Sequence, residues 1–321
     1  MIKKEEYMEV YPRNKRNENA YIQNNKPLVV KVPHFNGDYL VDTVYTAVET
    51  LGGLNKKFRS GDSVIVKPNF NCPDPTPLST GLDFLAAVFE ILTDFGLHIK
   101  VGEMCGRAAW PTEDVVHKLK VLPVMKRYGV DFVNFEKDDW IPVDISGDFW
   151  KVIHVPRTIY EATHRVYLPN MRCHSSARFS GAIKLGVGWL SPEDREIMHH
   201  DKDKTEQMIA EINLAFQPDI IIMDGRRSTV GWAGRGDYVY PNVVMSSGDM
   251  VAIDAEAIKI LKQYPSRNRI QIPIEEMKTL TTAQKHDLGK MDYQIIEMEP
   301  HLSTREKNNN DPAAIAVMND L

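Results

Sequence analysis

The chain has 321 residues and a formal charge of −5, with 43% hydrophobic and 26% charged residues. That is enough chain for one large or two modest globular domains. The charge gives no basic footprint for nucleic acid, and no window reaches the roughly 18–20 apolar residues of a membrane-spanning helix. Cys72, Cys105 and Cys173 form no C-x-x-C pair, which excludes a cysteine-only iron–sulfur or zinc site and leaves no disulfide framework to expect. The first residues are charged with no apolar core, so they do not read as a signal peptide, and a cytoplasmic protein is expected.

In chain order, residues 1–26 are polar and read as an N-terminal extension. Residues 28–32 (L-V-V-K-V) predict a strand, and 41–51 a helix ended by Gly52-Gly53. A βαβ unit comes next: strand 63–69, a Pro-rich loop to Gly81, an amphipathic helix 82–95 closed by Gly96, and strand 98–103. Residues 115–128 predict a further helix, 130–135 a strand, and 166–168 a short strand running into Asn170. Helical spacing returns over 204–216. Pro218 precedes an apolar strand, 219–223, that empties into Asp224-Gly225-Arg226-Arg227. Residues 242–246 predict a strand, and Asp249 is placed to cap a helix over 250–263. Residues 301–321 are polar and read as a loose tail. Alternating strands and helices predict an α/β protein. Its sheet would be mostly parallel, Rossmann-like and flanked by helices, in one domain over 27–300 with room for lobes at 27–150 and 151–300.

The stretch 170–200, N-M-R-C-H-S-S-A-R-F-S-G-A-I-K-L-G-V-G-W-L-S-P-E-D-R-E-I-M-H-H, concentrates the chemistry. It sets Cys173, His174, Lys184, His199 and His200 among small residues that let backbone approach a ligand. Lys184, between glycines and apolar neighbours, is a candidate anion contact or, with a lowered pKa, an amine nucleophile. His174 is a candidate general base or metal ligand, or a hydrogen-bonded loop histidine. Cys173 reads as a small buried hydrophobe. His199 and His200 end a short helix started by Ser191-Pro192. Adjacent helical residues diverge by about 100°, so the two do not readily share one metal.

In open α/β sheets ligands bind beyond the carboxyl ends of the strands, near a switch in strand order. Lys67, Asn69, Asn71, Ser79 and Thr80 come after one predicted strand, Glu103 and Arg107 after another, Asn170 to His174 after a third, and Asp224, Arg226 and Arg227 after a fourth. With those strands parallel, their loops open on one crevice. Ser79 or Thr80 serves equally well as a cap for the next helix. Asp254 falls on the apolar face of its helix, where a carboxylate needs a partner: a backbone group it caps, or a cation. There is neither G-x-G-x-x-G nor G-x-x-x-x-G-K-[ST] in the chain.

Taken in order, V-I-V-K-P-N-F with S-T-G-L-D-F-L, C-H-S-S-A-R-F-S-G-A-I-K, D-I-I-I-M-D-G and S-G-D-M-V-A-I-D-A-E-A resemble the domain of unknown function 362 family over about residues 62–262. Members are often fused to a ferredoxin-like module with cysteine-ligated clusters, which implies redox roles. This chain lacks those cysteines, has Arg172-Cys173-His174 where Lys-Thr-His is common, and has Leu185 where asparagine often comes after the lysine. More distantly, the order His174, Lys184, His200 is similar to the lactate racemase family, where a lysine carries a nickel pincer nucleotide. That likeness implies attachment at Lys184, metal ligation at His200 and acid/base work at His174.

Together these readings predict an enzyme acting on a small anionic substrate by metal- or cofactor-assisted proton or hydride transfer, an oxidoreductase or isomerase. His174, Lys184 and His200 would be catalytic. Lys67, Asn69, Ser79, Thr80, Glu103, Asn170, Asp224 and Asp254 would hold substrate or cofactor. A divalent metal, alone or within a metal-containing nucleotide, would be held by His174, His199 and His200. The alternative is a non-catalytic protein that binds or delivers a metal or cofactor. No nucleic-acid or membrane partner is expected, and self-association is left open.

Overall fold

The computed structural model describes residues 9–14, 18–231 and 236–298. The predicted tail at 301–321 lies outside them, as do residues 232–235 of the Gly-rich stretch G-W-A-G-R-G-D at 231–237. Among the described residues the longer elements begin with β1 (Lys26–Pro33), α1 (Leu40–Leu51), β2 (Ser63–Lys67), α2 (Leu82–Asp94), β3 (His98–Glu103), α3 (Thr112–Lys118), α4 (Val121–Arg127) and β4 (Asp131–Asn134). A hairpin, β5 (Trp140–Asp144) and β6 (Val152–Pro156), precedes β7 (His164–Tyr167). A second hairpin, β8 (Arg172–His174) and β9 (Arg178–Ser180), leads into α5 (Ala182–Leu185) and α6 (Pro192–His200). Then come α7 (Thr205–Glu211), β10 (Ile220–Gly225), β11 (Val243–Ser247), α8 (Met250–Leu261), α9 (Lys278–Lys285) and β12 (Gln294–Glu297).

One large sheet runs in the order β12-β1-β11-β10-β7-β2-β3-β4. β11 is antiparallel to both of its neighbours, while β10, β7, β2, β3 and β4 are mutually parallel. Strands from both halves of the chain share this sheet, and 27–150 and 151–300 meet along the β2–β7, β1–β11 and β1–β12 ladders. Successive strand residues alternate between faces. Val64, Val66, Val166 and Ile222 pack under Phe84, Leu85 and Val88 of α2, whereas Ile65, Tyr167, Ile221 and Met223 face α5, α7 and α8. β10 is buried along its whole length, as a strand covered on both sides must be.

Three differences from the sequence expectation have plain causes. The helix predicted over 115–128 breaks at Lys120, which takes a left-handed φ of 57°. Pro123 has no N–H to give Leu119, and its ring would clash with the preceding turn of an unbroken helix. The polar N-terminal segment is docked where it is described: Tyr11–Pro12 pairs with β5, and Tyr21 is fully buried. The β8–β9 hairpin and β5–β6 were not expected, because strands this short carry too few residues for a period to show.

The chain steps from β2 outward to β3 and β4, then returns to lay β7 on the other side of β2. The switch in strand order therefore lies between β2 and β7. Their carboxyl ends, Lys67 and Asn69 on one side and Leu168 and Asn170 on the other, meet there.

Candidate functional site

β2 delivers Lys67 into the interior, where its amine lies 2.7 Å from Glu103 at the end of β3 and donates to the Pro68 carbonyl. Both side chains are almost wholly buried. Burial lowers the Lys67 pKa, and Glu103 opposes that drop. Glu103 also accepts the backbone N–H groups of Phe70 and Met104, at 2.8 and 2.9 Å. Gly188 roofs this pair so closely that any side chain there would collide with Lys67 and Glu103.

Above the pair sit two cavities that share Lys184, Asn71, Val187 and Arg195 as walls. The inner one, about 40 Å³, is also lined by Lys67, Asn69, Glu103, Asn170, Arg172 and Ser180. The outer one, about 330 Å³, is lined in addition by Trp110, His174, Pro192, Met198, His199 and Ile209. The outer volume is in the range of small-molecule pockets.

Lys184 rides on α5, which is held at both ends. Asp254, buried on α8, accepts the N–H groups of Ala182 (2.7 Å) and Ile183 (3.0 Å), and Asn213 donates to the Ile183 carbonyl. Burial pushes the Asp254 carboxyl up to about 7. No hydrogen bond or ion pair holds the Lys184 amine among the described residues. Burial, then the neighbouring charges of Arg172, Arg195 and Lys67, brings the Lys184 pKa down to about 7. At neutral pH this amine therefore exists in both protonation states, which fits it to give and take protons.

His174 ends β8. Its Nδ1 accepts the N–H groups of Ser176 and Ala177, each at 3.2 Å. A nitrogen facing two backbone donors carries no proton, so the hydrogen-bond network puts the ring proton on Nε2. Lys184 first, then burial, holds the imidazole down to about 2. His174 thus offers the cavity a neutral N–H donor. Arg195, on the inner face of α6, donates to the carbonyls of Leu190, Cys105 and Met104. Burial lowers its pKa to about 10, leaving it a cation at neutral pH.

The remaining candidates divide cleanly. Lys67, Asn69, Glu103, Asn170 and Lys184 come together at the inner cavity. His174 and His199 line the outer one, and His200 is at its rim with a side chain 80% exposed, 3.9 Å from Glu196. Ser79 and Thr80 are turned elsewhere: Ser79 donates to the Cys72 carbonyl, and Thr80 donates to the Leu168 carbonyl and accepts from the Asn69 N–H. Asp224 lines neither cavity and is bound to Arg226 at 2.8 Å. Asp254 acts through α5 and touches neither. Among the described residues, a three-ligand grouping of His, Cys, Asp and Glu occurs at Asp148, Glu211 and His286, and His174, His199 and His200 form none.

Arg195 and Trp110 were not singled out from sequence, whereas Asn71 and Arg172 fall in the strand-exit stretches that were. Arg195 did leave a signal: it precedes His199 by four residues, so both lie on one face of α6. Arg172 sits beside His174 in the strand-exit motif. Trp110 belongs to a loop whose course only the fold reveals.

A family model described as domain of unknown function (DUF362) matches residues 64–259, more than half of the chain. A thylakoid-associated protein of Synechocystis is 23% identical over 235 residues, covering 71% of this chain and 71% of its own. Among solved structures, a Thermotoga maritima protein aligns with a TM-score of 0.39 at 17% identity, over 61% of this chain and 53% of that one. The lactate racemase apoprotein of Thermoanaerobacterium thermosaccharolyticum aligns with a TM-score of 0.45 at 15% identity, over 78% of this chain and 61% of that one. The chain thus spans less than two thirds of either solved protein.

Proposed function

The chain belongs to the domain of unknown function 362 family, and on the chemistry of its site we propose that it is an enzyme that moves a proton on a small anionic molecule. One observation carries this reading: an amine with no protein partner, poised near pH 7, walls two adjoining cavities beside two arginines. Arg172 and Arg195 attract and orient the anion. Lys184 as free amine takes a proton from a carbon next to the anionic group and becomes the ammonium. The electron pair left on the substrate spreads onto its oxygen, where the Nε2–H of His174 and the arginines stabilise it. The ammonium then returns the proton, so the enzyme is restored and nothing is oxidised or reduced.

The metal that the likeness to lactate racemase implies does not suit these side chains. His174 shows the cavity an N–H where a ligand needs a lone pair, because Nδ1 is already engaged by two backbone donors. His200 is mostly in solvent.

The test is solvent exchange. Small 2-hydroxy acids are incubated with the protein in D2O, and loss of the C2 proton next to the carboxylate is tracked by NMR. Exchange is expected to rise with pH to a plateau above about 7, as the free amine accumulates, and to fall at least about 100-fold in Lys184→Met. Binding of the acids without exchange at any pH would make the site that of a carrier and overturn the proposal.

A further inference from the structure

The inner cavity holds an arrangement that proton transfer alone does not require. The Asn69 amide donates to the Leu78 carbonyl at 3.0 Å and to Asn170 Oδ1 at 3.2 Å. Leu78 can only accept, which fixes the orientation of Asn69. Asn69 in turn fixes Asn170, a wall residue of the chamber, and leaves its Nδ2 as the spare donor. That nitrogen is buried and has no hydrogen-bond partner, in a residue 2% exposed. A buried amide donor left unmade costs about 1–3 kcal/mol, and an acceptor seated in the chamber recovers that cost. Around it stand Arg172, Lys184 and Arg195, while the carboxylate present, Glu103, is neutralised by Lys67. The wall is therefore a set of donors with net positive charge.

Size narrows the guest. About 10–15 Å³ of such space holds one water molecule. A chamber of about 40 Å³ thus takes a group of roughly three heavy atoms, the size of a carboxylate, and a tetrahedral phosphoryl group is too large. Beyond it, the outer cavity turns Trp110, Val187, Met198 and Ile209 toward the rest of the ligand.

We infer that the inner chamber is a carboxylate socket built around Asn170, and that the site takes a monocarboxylic acid with a compact apolar body. This rests on the proposed reading that the site receives a small anion, and it adds where the anionic group seats and which kind of body it carries. Asn170 orients the carboxylate, and the chemistry stays with Lys184.

The experiment uses the full chain and four probes: isobutyrate, its neutral isostere isobutyramide, acetate and inorganic phosphate, with binding measured by calorimetry. Isobutyrate is expected to bind at least about tenfold more tightly than isobutyramide. Asn170→Asp keeps the acceptor for Asn69 but puts a like charge in the socket, and should weaken isobutyrate by at least about tenfold with an unchanged circular dichroism spectrum. Trp110→Ala, at an exposed side chain, should weaken isobutyrate and leave acetate unchanged. Equal binding of acid and amide, phosphate binding without carboxylate binding, or an Asn170→Asp protein that still binds isobutyrate would each overturn the socket. Isobutyrate binding that Asn170→Asp abolishes, with no proton exchange on any carboxylic acid, would uphold the socket and overturn the proton-transfer reading alone.

Discussion

Arg226 and Lys184 both stand beyond the carboxyl ends of the central strands, each amid charged neighbours, yet they are wired in opposite ways. Arg226 is bound by Asp224 at 2.8 and 3.0 Å and by Asp83 at 2.6 and 3.1 Å. Those carboxylates raise its pKa against the effect of burial. Lys184 has cations for neighbours and no carboxylate at hydrogen-bond distance, and its pKa is lowered. The first cluster satisfies itself and ties the end of β10 to the start of α2. The second leaves its charge balance open. Charged residues in a strand-exit loop thus say little about function until their partners are counted.

The largest effect is expected at the Lys67–Glu103 pair, which shares the inner cavity yet is wired like the Arg226 cluster. Glu103→Ala strands a buried ammonium and two N–H groups, and should cost about 3–5 kcal/mol in denaturant unfolding; a loss under about 1 kcal/mol would show the pair is no foundation. Arg226→Leu should come next, at about 3 kcal/mol, because Asp224 is left buried without its cation. It should leave the titration of Lys184 where it was, and a shift there would mean that the two regions are coupled.

Lys184→Met carries the opposite sign. Its folded-state pKa of about 7 lies below the ordinary 10.5, so folding is penalised whenever the amine is charged in both states. That penalty is full below pH 7, fades as pH rises from 7 towards 10.5, and is gone above. The shift converts to at most about 5 kcal/mol, and relaxation and water around the cavity reduce it. The variant should therefore be more stable than the parent by on the order of 2 kcal/mol at pH 6 and equal to it near pH 10.5, read from urea unfolding at both values. The smallest energetic effect belongs to His174. With ¹⁵N-labelled histidine and a His174→Gln variant for assignment, its ring should show the Nε2–H tautomer unchanged from pH 5 to 8. A midpoint near 6.5 would undo the contrast between a fixed donor and a titrating amine.

Much of the fold was legible because its long elements bury one face each. The period of α2, the unbroken apolar run of β10 and the cap at Asp249 all show in the residue order, and each element appears within a few residues of its expected bounds. Within the site, Lys184 and His174 stood out through their surroundings of glycine and serine. Asp254 stood out as a carboxylate on an apolar face, and it proved to cap α5. Ser79, Thr80 and Asp224 looked just as promising, since a residue near a strand end can turn into the crevice or away from it. Arg195 was passed over because helical arginines are common, and only packing shows that this one is buried.

By itself the sequence determined the α/β class, the family and the concentration of reactive side chains between Asn170 and His200, since periodicity and local spacing are properties of the chain read in order. Which charges cancel and which remain open was decided only by the tertiary structure. Partnership between Lys67 and Glu103, or the lack of it at Lys184, depends on segments brought within about 3 Å from distant parts of the chain. Electrostatic and hydrogen-bond energies change across that distance far more steeply than any local pattern of residues records.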